Sequence, residues 1–337
     1  QSISNSITAI TELVKNAYDA DAEKVTIKFL DLATENPTLV VEDTGHGMTE
    51  AELREEWMLI GTLSKVSSTR SRQKRRIVTG EKGLGRLGLD RLCELAIIET
   101  FAEEEKEGTR FIIRWSDYED TEERLENIKH KLYRTPKLVQ DPATGEKVKI
   151  DHGTRLILQG LKDRWSKDYL SELRKELALL VSPFESINDF SIEIESGYDG
   201  IDGEIVSSYY LRAAKWILES SIDNEGNVTH RMYSHQHEEE FVLAPTPWKE
   251  VFRDTRTEIP ACGPLSFKLY FFLRESVELE DISLTRSQMR GFLDANQGVR
   301  IYRDLFWAKP YGSPDGTGDW LTLSYRRQQN PQAVTQE

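Results

Sequence analysis

The fold is decided near the start of the chain, by the stretch Glu12-Leu13-Val14-Lys15-Asn16-Ala17-Tyr18-Asp19-Ala20. Apolar residues recur here at helical spacing, and Glu12, Asn16 and Asp19 stand at i, i+4 and i+7 on one face of the predicted helix. A carboxylate on that face can orient and deprotonate a water, and a carboxamide oxygen can bind a hard cation such as Mg²⁺. Taken alone, the stretch is more simply explained by a solvated polar helix face.

A second stretch, Asp43-Thr44-Gly45-His46-Gly47-Met48, follows a predicted apolar strand over Thr38–Glu42. Its two glycines permit positive φ angles and the close approach of a flat ligand. The carboxylate at the end of the strand can accept hydrogen bonds from an exocyclic amine. On its own, this stretch is also compatible with an ordinary strand-to-helix turn.

The third stretch, Gly80-Glu81-Lys82-Gly83-Leu84-Gly85-Arg86-Leu87-Gly88, opens a predicted helix. Glycines before a helix present backbone N–H groups to phosphate, and the helix dipole favours an anion there. Gly83–Gly88 also fits the GxGxxG pattern of dinucleotide-binding folds, but that pattern requires a buried strand before it. The preceding run, Ser67–Arg76, is hydrophilic and basic, so we interpret the match as accidental. The chain contains no GxxxxGK[ST] phosphate loop.

Hydrophobic patterns organise the rest of the chain. Thr49 and Glu52 form a capping box that predicts a helix over Glu50–Leu59. The long segment Gly61–Gly88 has no hydrophobic period and is expected to be a functional lid or disordered. Residues 116–150 are interpreted as a charged insertion, and a domain boundary is expected near residue 165. The other predicted strands are Val25–Phe29, Leu95–Phe101, Thr109–Trp115, Thr154–Gln159, Phe190–Glu195, Phe267–Arg274 and Gly298–Arg303. The other predicted helices begin near Lys167 and cover Leu211–Ser220 and Arg286–Ala295.

Together, ExxxNAxDA, DxGxGM, GxKGxG and the pair Gly153-Thr154 resemble, in order and spacing, the nucleotide-binding signature of the GHKL ATPase superfamily. That group contains DNA gyrase B, the heat-shock chaperone with a Bergerat fold, histidine kinases, MutL and the MORC ATPases. The resemblance implies an α/β two-layer sandwich of the Bergerat type over residues 1–165. Segments near residues 298–312 resemble, more weakly, an α+β transducer-like domain similar to ribosomal S5 domain 2, expected over residues 166–337.

The resemblance implies roles for two groups of residues. Toward the phosphates, Glu12 would be the general base that polarises the attacking water, and Asn16 would supply a side-chain oxygen to Mg²⁺. Asp19 would order the site from the same helix face. The lid residues that would wrap the β- and γ-phosphates are Gly83, Leu84 and Gly85.

Toward the base, the resemblance implies that Asp43 hydrogen-bonds the adenine amino group. Gly47 and Met48 would line the base pocket. Thr154 would support Asp43 and the adenine through a hydrogen bond or a shared water.

Several basic residues are candidates for phosphate contacts. Lys65 ends a Gly-Thr-Leu-Ser-Lys segment that resembles the start of the lid in MutL and MORC proteins. Lys65, Lys82 and Arg86 either contact phosphate or are solvated loop cations. The basic run over residues 70–76 is either a solvated loop or a patch for nucleic acid or an acidic partner. In the second half, Lys309 and Arg327 are candidates to sense the γ-phosphate, and otherwise are surface cations.

The composition narrows the class of protein. The 337 residues include 44 Lys and Arg against 58 Asp and Glu, a net charge of −14, which argues against a non-specific DNA clamp. Two cysteines in no CxxC pattern favour neither a disulfide framework nor a zinc site, and fit a reducing cytoplasm. We find no apolar run long enough to span a membrane and no signal peptide. Since the chain starts inside a predicted helix, we interpret it as a fragment.

The functional expectation is a slow, Mg²⁺-dependent ATPase. Binding of ATP would order the lid and close a homodimer, and hydrolysis would reopen it, in a DNA transaction such as repair or phage defence. One alternative is a nucleotide-switched, chaperone-like or binding module that acts on a protein client. Another is a kinase related to histidine kinases, which is disfavoured because some 170 residues follow the nucleotide motifs.

Overall fold

The computed structural model describes residues 5–57, 70–76, 78, 88–118, 131–180, 189–205, 211, 213–234, 238–252, 260–261, 263–272, 286–295, 299–303, 306–307 and 311–312. The chain divides into two compact units, residues 1–206 with 304–306 and residues 207–303 with 307–337. This division lies beyond the boundary expected near residue 165, because Ser191–Glu195 is a strand of the first unit's sheet.

The strands of the first unit are β1 (Lys24–Leu30), β2 (Thr38–Asp43), β3 (Cys93–Phe101), β4 (Glu107–Arg114), β5 (Leu132–Pro136), β6 (Leu138–Gln140), β7 (Lys147–Lys149), β8 (Gly153–Leu161), β9 (Ser191–Glu195) and β10 (Gly203–Glu204). Eight of them form a mixed sheet in the order β10-β9-β1-β2-β8-β3-β4-β5. The β1–β9 pair is parallel and the other neighbouring pairs are antiparallel.

The helices of the first unit are α1 (Ser6–Asp19), α2 (Glu50–Glu52), α3 (Leu89–Leu92) and α4 (Lys167–Leu180). The Asn5 side chain caps α1 by accepting a hydrogen bond from Thr8 N at 2.8 Å. The capping box of Thr49 and Glu52 is confirmed, and α2 continues as a π-helical turn over Leu53–Trp57. The rest of the helix predicted over Glu50–Leu59 lies outside the described residues.

The helices cover one face of the sheet, as expected for a two-layer sandwich. Apolar residues of α1 and α4 share one buried cluster with alternate residues of the strands, among them Ile10, Val14, Leu173, Leu177, Ile27, Leu39, Val41, Ile98, Phe111, Leu156 and Leu158. Because side chains alternate along a strand, the intervening residues face the opposite side.

Part of the segment interpreted as a charged insertion over residues 116–150 is integral to this sheet. Strand β5 pairs with β4 and forms the sheet edge. Strands β6 and β7 form a hairpin, and Phe101, Val139 and Ile150 make a small apolar cluster beside it.

The second unit contains β11 (Trp216–Ile222), β12 (Asn227–Ser234), β13 (Glu239–Pro247), β14 (Leu265–Phe271), α5 (Trp248–Phe252), α6 (Arg286–Ala295) and β15 (Tyr302–Arg303). The strand β16 (Phe306–Trp307) follows, with Trp307 in the second unit. An antiparallel sheet runs in the order β13-β12-β11-β14.

The helix predicted over Leu211–Ser220 is wrong, because β11 pairs on both sides with strands distant in sequence and tertiary pairing overrides local periodicity. The helix over Arg286–Ala295 is confirmed, and the transducer-like identity of this unit stays a prediction. In the ranges described, no helix has both the length and the apolar character needed to cross a bilayer.

Candidate functional site

A row of polar side chains crosses three neighbouring strands on the helix-covered side of the sheet. Asp43 of β2 is paired directly with Thr154 of β8, and Thr154 is paired directly with Thr100 of β3. Asp43 and Thr100 each stand two residues after a member of the helix-facing core, Val41 and Ile98, so their side chains share that face. Strand register therefore brings together residues that are far apart in the chain.

Asp43 is held by backbone donors from two segments. Its Oδ1 accepts hydrogen bonds from Gly45 N at 2.8 Å and from Thr154 N at 3.3 Å. No described residue hydrogen-bonds to Oδ2. The carboxyl thus has one oxygen fixed by the protein and one oxygen left for a ligand.

Burial of the carboxyl raises the pKa of Asp43 from 3.8 to about 6. The two backbone N–H groups and His152 favour the ionised form, and Glu42 opposes it, but the loss of hydration outweighs them. Asp43 as a whole keeps some exposed surface, so a ligand can reach it. A carboxyl that is costly to ionise gains when a ligand supplies a hydrogen-bond donor.

The glycines of the Asp43 turn allow it to contact two other elements closely. A Cβ at Gly45 would lie 2.7 Å from Ala20 O, at the end of α1. Gly47 has φ of +65°, and a Cβ there would lie 2.1 Å from Phe101 O. His46 N donates to Ala20 O at 2.9 Å, so this turn is fastened to the end of the helix that carries Glu12 and Asn16.

The polar face of α1 contains the three residues predicted from helical spacing. Glu12 is about one-third exposed and its Oε1 accepts from Lys15 Nζ at 2.8 Å. The carboxamide of Asn16 makes no hydrogen bond to any described residue, which leaves its oxygen available to a cation. Asp19 closes this face at the last residue of the helix.

Residues 70–76, interpreted as a solvated basic loop or a binding patch, are in part docked on the first unit. Arg76 is buried, and its guanidinium donates to Tyr18 O, Ala22 O and Asp189 Oδ2 at 3.1, 2.8 and 2.8 Å. Burial raises the pKa of Asp189, but its hydrogen bond with Arg76 and the charges of Arg76 and Lys74 bring the pKa below its ordinary value. The interpretation of a solvated loop is therefore wrong for Arg76.

The opposite face of the sheet carries a row of alternating charges directly beside the polar row. Arg155 is buried, and its Nε donates to Glu42 Oε2 at 2.6 Å, while its Nη1 lies 3.6 Å from Glu99 Oε2. Glu99 in turn pairs with Arg110. Arg155 also donates to the carbonyl of Gln140 in the hairpin at 3.1 Å, so the charge row joins that hairpin to the sheet.

Eight of the predicted site residues lie outside the described residues. They are Lys65, Lys82, Gly83, Leu84, Gly85, Arg86, Lys309 and Arg327. Among the described residues, no group of three or more His, Cys, Asp or Glu side chains is placed to hold a metal ion. The described site therefore consists of the Asp43 turn, the cross-strand row and the polar face of α1.

Sequence reasoning missed three residues of this site. Lys15 stands inside the quoted helix stretch, and its i, i+3 spacing from Glu12 was the available signal. Thr100 belongs to none of the quoted stretches, and its role depends on strand register. His152 bonds through Nδ1 with Gly45 O at 2.8 Å, and its position before Gly153 was the available signal.

Comparisons with known proteins agree with the motif resemblance. Residues 3–146 match the family model described as histidine kinase-, DNA gyrase B-, and HSP90-like ATPase. The match includes α1 and the Asp43 turn and ends before Thr154. The resemblance to the GHKL superfamily is thereby confirmed.

The chain is also similar to a protein of Herpetosiphon aurantiacus, the provisionally named type II restriction enzyme HgiDII. The two are 27% identical over 193 residues, which cover 57% of this chain and 29% of that protein. The chain thus spans less than one third of the length of this relative.

Proposed function

Because residues 3–146 carry a GHKL-type ATPase domain, we propose that this chain binds ATP with Mg²⁺ and hydrolyses it slowly. The observation that carries the proposal is the Asp43 carboxyl, enclosed, fixed through Oδ1 and open to a ligand through Oδ2. The adenine amino group is a donor that this oxygen can accept. Thr154 supports the same edge of the base, and Gly47 and Met48 line the pocket.

The polar face of α1 is assigned to the phosphates. Glu12 acts as the general base that orients and deprotonates the attacking water. Lys15 holds the Glu12 carboxylate through the 2.8 Å ion pair. Asn16 supplies the protein's oxygen ligand to Mg²⁺, which when bound neutralises charge on the phosphates, and Asp19 orders this face.

A direct test compares ATP binding and Mg²⁺-dependent turnover in four proteins: wild type, Glu12→Ala, Asp43→Asn and the control Glu35→Ala. Glu35 is an exposed residue of the β1–β2 connection. Glu12→Ala is expected to lose about 100-fold or more in turnover and to bind ATP within about threefold of wild type. Asp43→Asn should lose about tenfold or more in ATP affinity. Its amide oxygen would accept from the two backbone N–H groups, and its NH₂ donor would then face the amino donor of adenine. Absence of ATP binding by folded wild-type protein contradicts the proposal.

Nucleotide-dependent closure is the second part of the proposal. Lys65, Lys82 and the lid residues Gly83, Leu84 and Gly85 contact the β- and γ-phosphates, and Lys309 or Arg327 senses the γ-phosphate. Closure then couples ATP binding to homodimerisation. Light scattering with and without a non-hydrolysable ATP analogue tests this directly. An analogue-saturated protein that stays monomeric contradicts the dimer, while leaving ATP binding as a separate result.

A DNA client is the third part, supported by the restriction-enzyme name of the Herpetosiphon aurantiacus relative. The net charge of −14 indicates that any DNA contact involves a local basic surface rather than the whole chain. ATP turnover measured with and without duplex DNA, at two salt concentrations, tests this part. Salt-sensitive stimulation supports a DNA client. If turnover is unchanged, a protein client becomes the working alternative.

A further inference from the structure

Thr100 is a fully buried hydroxyl that joins two parts of the candidate base pocket. Its Oγ1 accepts a hydrogen bond from the backbone N–H of Met48 at 2.7 Å and lies 3.3 Å from Thr154 Oγ1. Met48 belongs to the Asp43 turn, and Thr154 is paired with Asp43 across the sheet. Thr100 therefore contacts both the turn that follows Asp43, through Met48, and the residue paired with Asp43 on β8, Thr154.

The direction of the Thr100–Thr154 hydrogen bond follows from where the two hydroxyl hydrogens can go. The Met48 N–H occupies one lone pair of Thr100 Oγ1, because a backbone amide can only donate. Thr154 Oγ1 is the acceptor that the described residues offer to the Thr100 hydrogen. If Thr154 donated instead, the Thr100 hydrogen would be buried without an acceptor, which is unfavourable. Thr100 is thus the donor, and Thr154 keeps its own hydrogen.

We propose that Thr100 is a positioning residue that makes Thr154 a hydrogen-bond donor toward the base, beside the acceptor at Asp43. This inference rests on the proposed nucleotide site and explains how that site would select adenine over guanine. The matching edge of adenine has an amino donor next to a ring nitrogen that accepts. Guanine presents a carbonyl acceptor next to a ring N–H, the reverse order, so the pocket favours adenine.

Thr109 provides a matched control within the same row. Thr109 lies on β4, directly opposite Thr100 of β3. It is buried, and its hydroxyl has no hydrogen-bond partner among the described residues. Thr109→Val changes the same atoms as Thr100→Val on the neighbouring strand. A general effect of a Thr-to-Val change in this layer would appear in both variants.

The test asks whether the affinity lost on removing one ring nitrogen of adenine depends on Thr100. Affinities are measured by calorimetry for ATP and for 1-deaza-ATP, in which the accepting ring nitrogen is a C–H group, on wild type, Thr100→Val, Thr100→Ser and Thr109→Val. Wild type should lose about tenfold in affinity on removal of that nitrogen. Thr100→Val should lose less than about threefold, because its Thr154 is no longer oriented. Thr100→Ser and Thr109→Val should behave as wild type.

A Thr100→Val variant that keeps the tenfold loss overturns the inference, and so does a loss that vanishes equally in Thr109→Val. A wild-type protein that binds both ligands equally also overturns it. Failure of folded wild type to bind ATP at all is a different result and removes the proposed function itself. If Thr100→Val does not fold, Thr100→Cys fills a similar volume with a weaker donor, and the same comparison applies.

Discussion

The guanidinium of Arg76 lies 4.3 Å from the ring centroid of Tyr18 and donates to the backbone carbonyl of the same residue at 3.1 Å. Tyr18 is in the last turn of α1, and its carbonyl also accepts a hydrogen bond from Asp21 N at 3.0 Å. Arg76 therefore adds a charged donor at the end of the helix whose polar face carries Glu12 and Asn16. It also fixes residues 70–76 in place, since Arg76 N donates to Ser71 Oγ and Ser71 N donates to Arg76 O.

Arg76→Met is expected to lower the free energy of unfolding by about 2–4 kcal/mol, since it removes charged hydrogen bonds and takes its donor from the buried Ala22 carbonyl. Chemical denaturation measures this change. Arg75→Met, the same substitution one residue earlier at an exposed position, should change stability by less than about 0.5 kcal/mol. Equal losses of unfolding free energy in the two variants would show that the contacts of the buried Arg76 do not stabilise the fold.

Adenosine binding is expected to weaken below a pH of about 6, because the adenine amine requires an ionised acceptor and the pKa of Asp43 is about 6. Each further pH unit should lower the affinity by about tenfold. Adenosine is the suitable ligand, as it has no phosphate that titrates in the same range. An affinity that is constant from pH 7 to pH 5 would contradict the assignment of Asp43.

Protonation of Asp43, which is expected to weaken adenosine binding, is expected to stabilise the folded protein. Since the folded pKa is above the unfolded value of 3.8, the folded protein binds this proton more tightly. The resulting stabilisation is fully present below pH 3.8 and is lost as the pH rises through about 6. Asp43→Asn should remove this component from the pH dependence of unfolding, whereas the exposed control Asp31→Asn should retain it.

Lys15→Met is expected to lower turnover about tenfold while ATP affinity changes by less than about threefold. The ion pair with Glu12 orients the proposed base, and its loss affects the chemical step rather than binding. Steady-state kinetics together with calorimetry separate the two effects. Equal turnover in Lys15→Met and wild type would exclude an orienting role for this lysine.

Gly47→Ala is expected to destabilise the fold by more than about 2 kcal/mol. The methyl group would lie 2.1 Å from Phe101 O, and the residue has φ of +65°. Gly200→Ala is the matched control, since Gly200 also has a positive φ, +81°, but a Cβ there meets nothing within 4 Å. Thermal unfolding should show a cost of about 1 kcal/mol for the control. Equal costs would assign the effect to backbone strain alone rather than to the close contact.

The parts of the site that the sequence predicted are those set by local pattern. The helix face of Glu12 and Asn16 follows from spacing, and the Asp43 turn follows from its glycines. Thr100 could not be found this way, because it lies 54 residues from Thr154 and meets it only through the pairing of β3 with β8. Arg76 was missed because a run of basic residues gives no sign of which one is buried.

The error in the second unit has a related cause. Residues 211–220 contain apolar side chains at spacings that a helix also produces. Strand β11 forms because β12 and β14 pair with it on either side, and β14 lies more than 40 residues further along the chain. A local window does not include that information.

The alternating charges of Glu42, Arg155 and Glu99 have a consequence for the accuracy with which the base pocket is built. Asp43 and Thr154 are the immediate neighbours of Glu42 and Arg155, so a slip of β8 by one residue would turn Arg155 into the pocket and Thr154 out of it. Such a slip would also leave Glu42 without its cation and Glu99 with Arg110 alone. The charge row thus favours one strand register. The register that pairs Arg155 with the two glutamates on one face of the sheet also places Asp43 beside Thr154 on the other face.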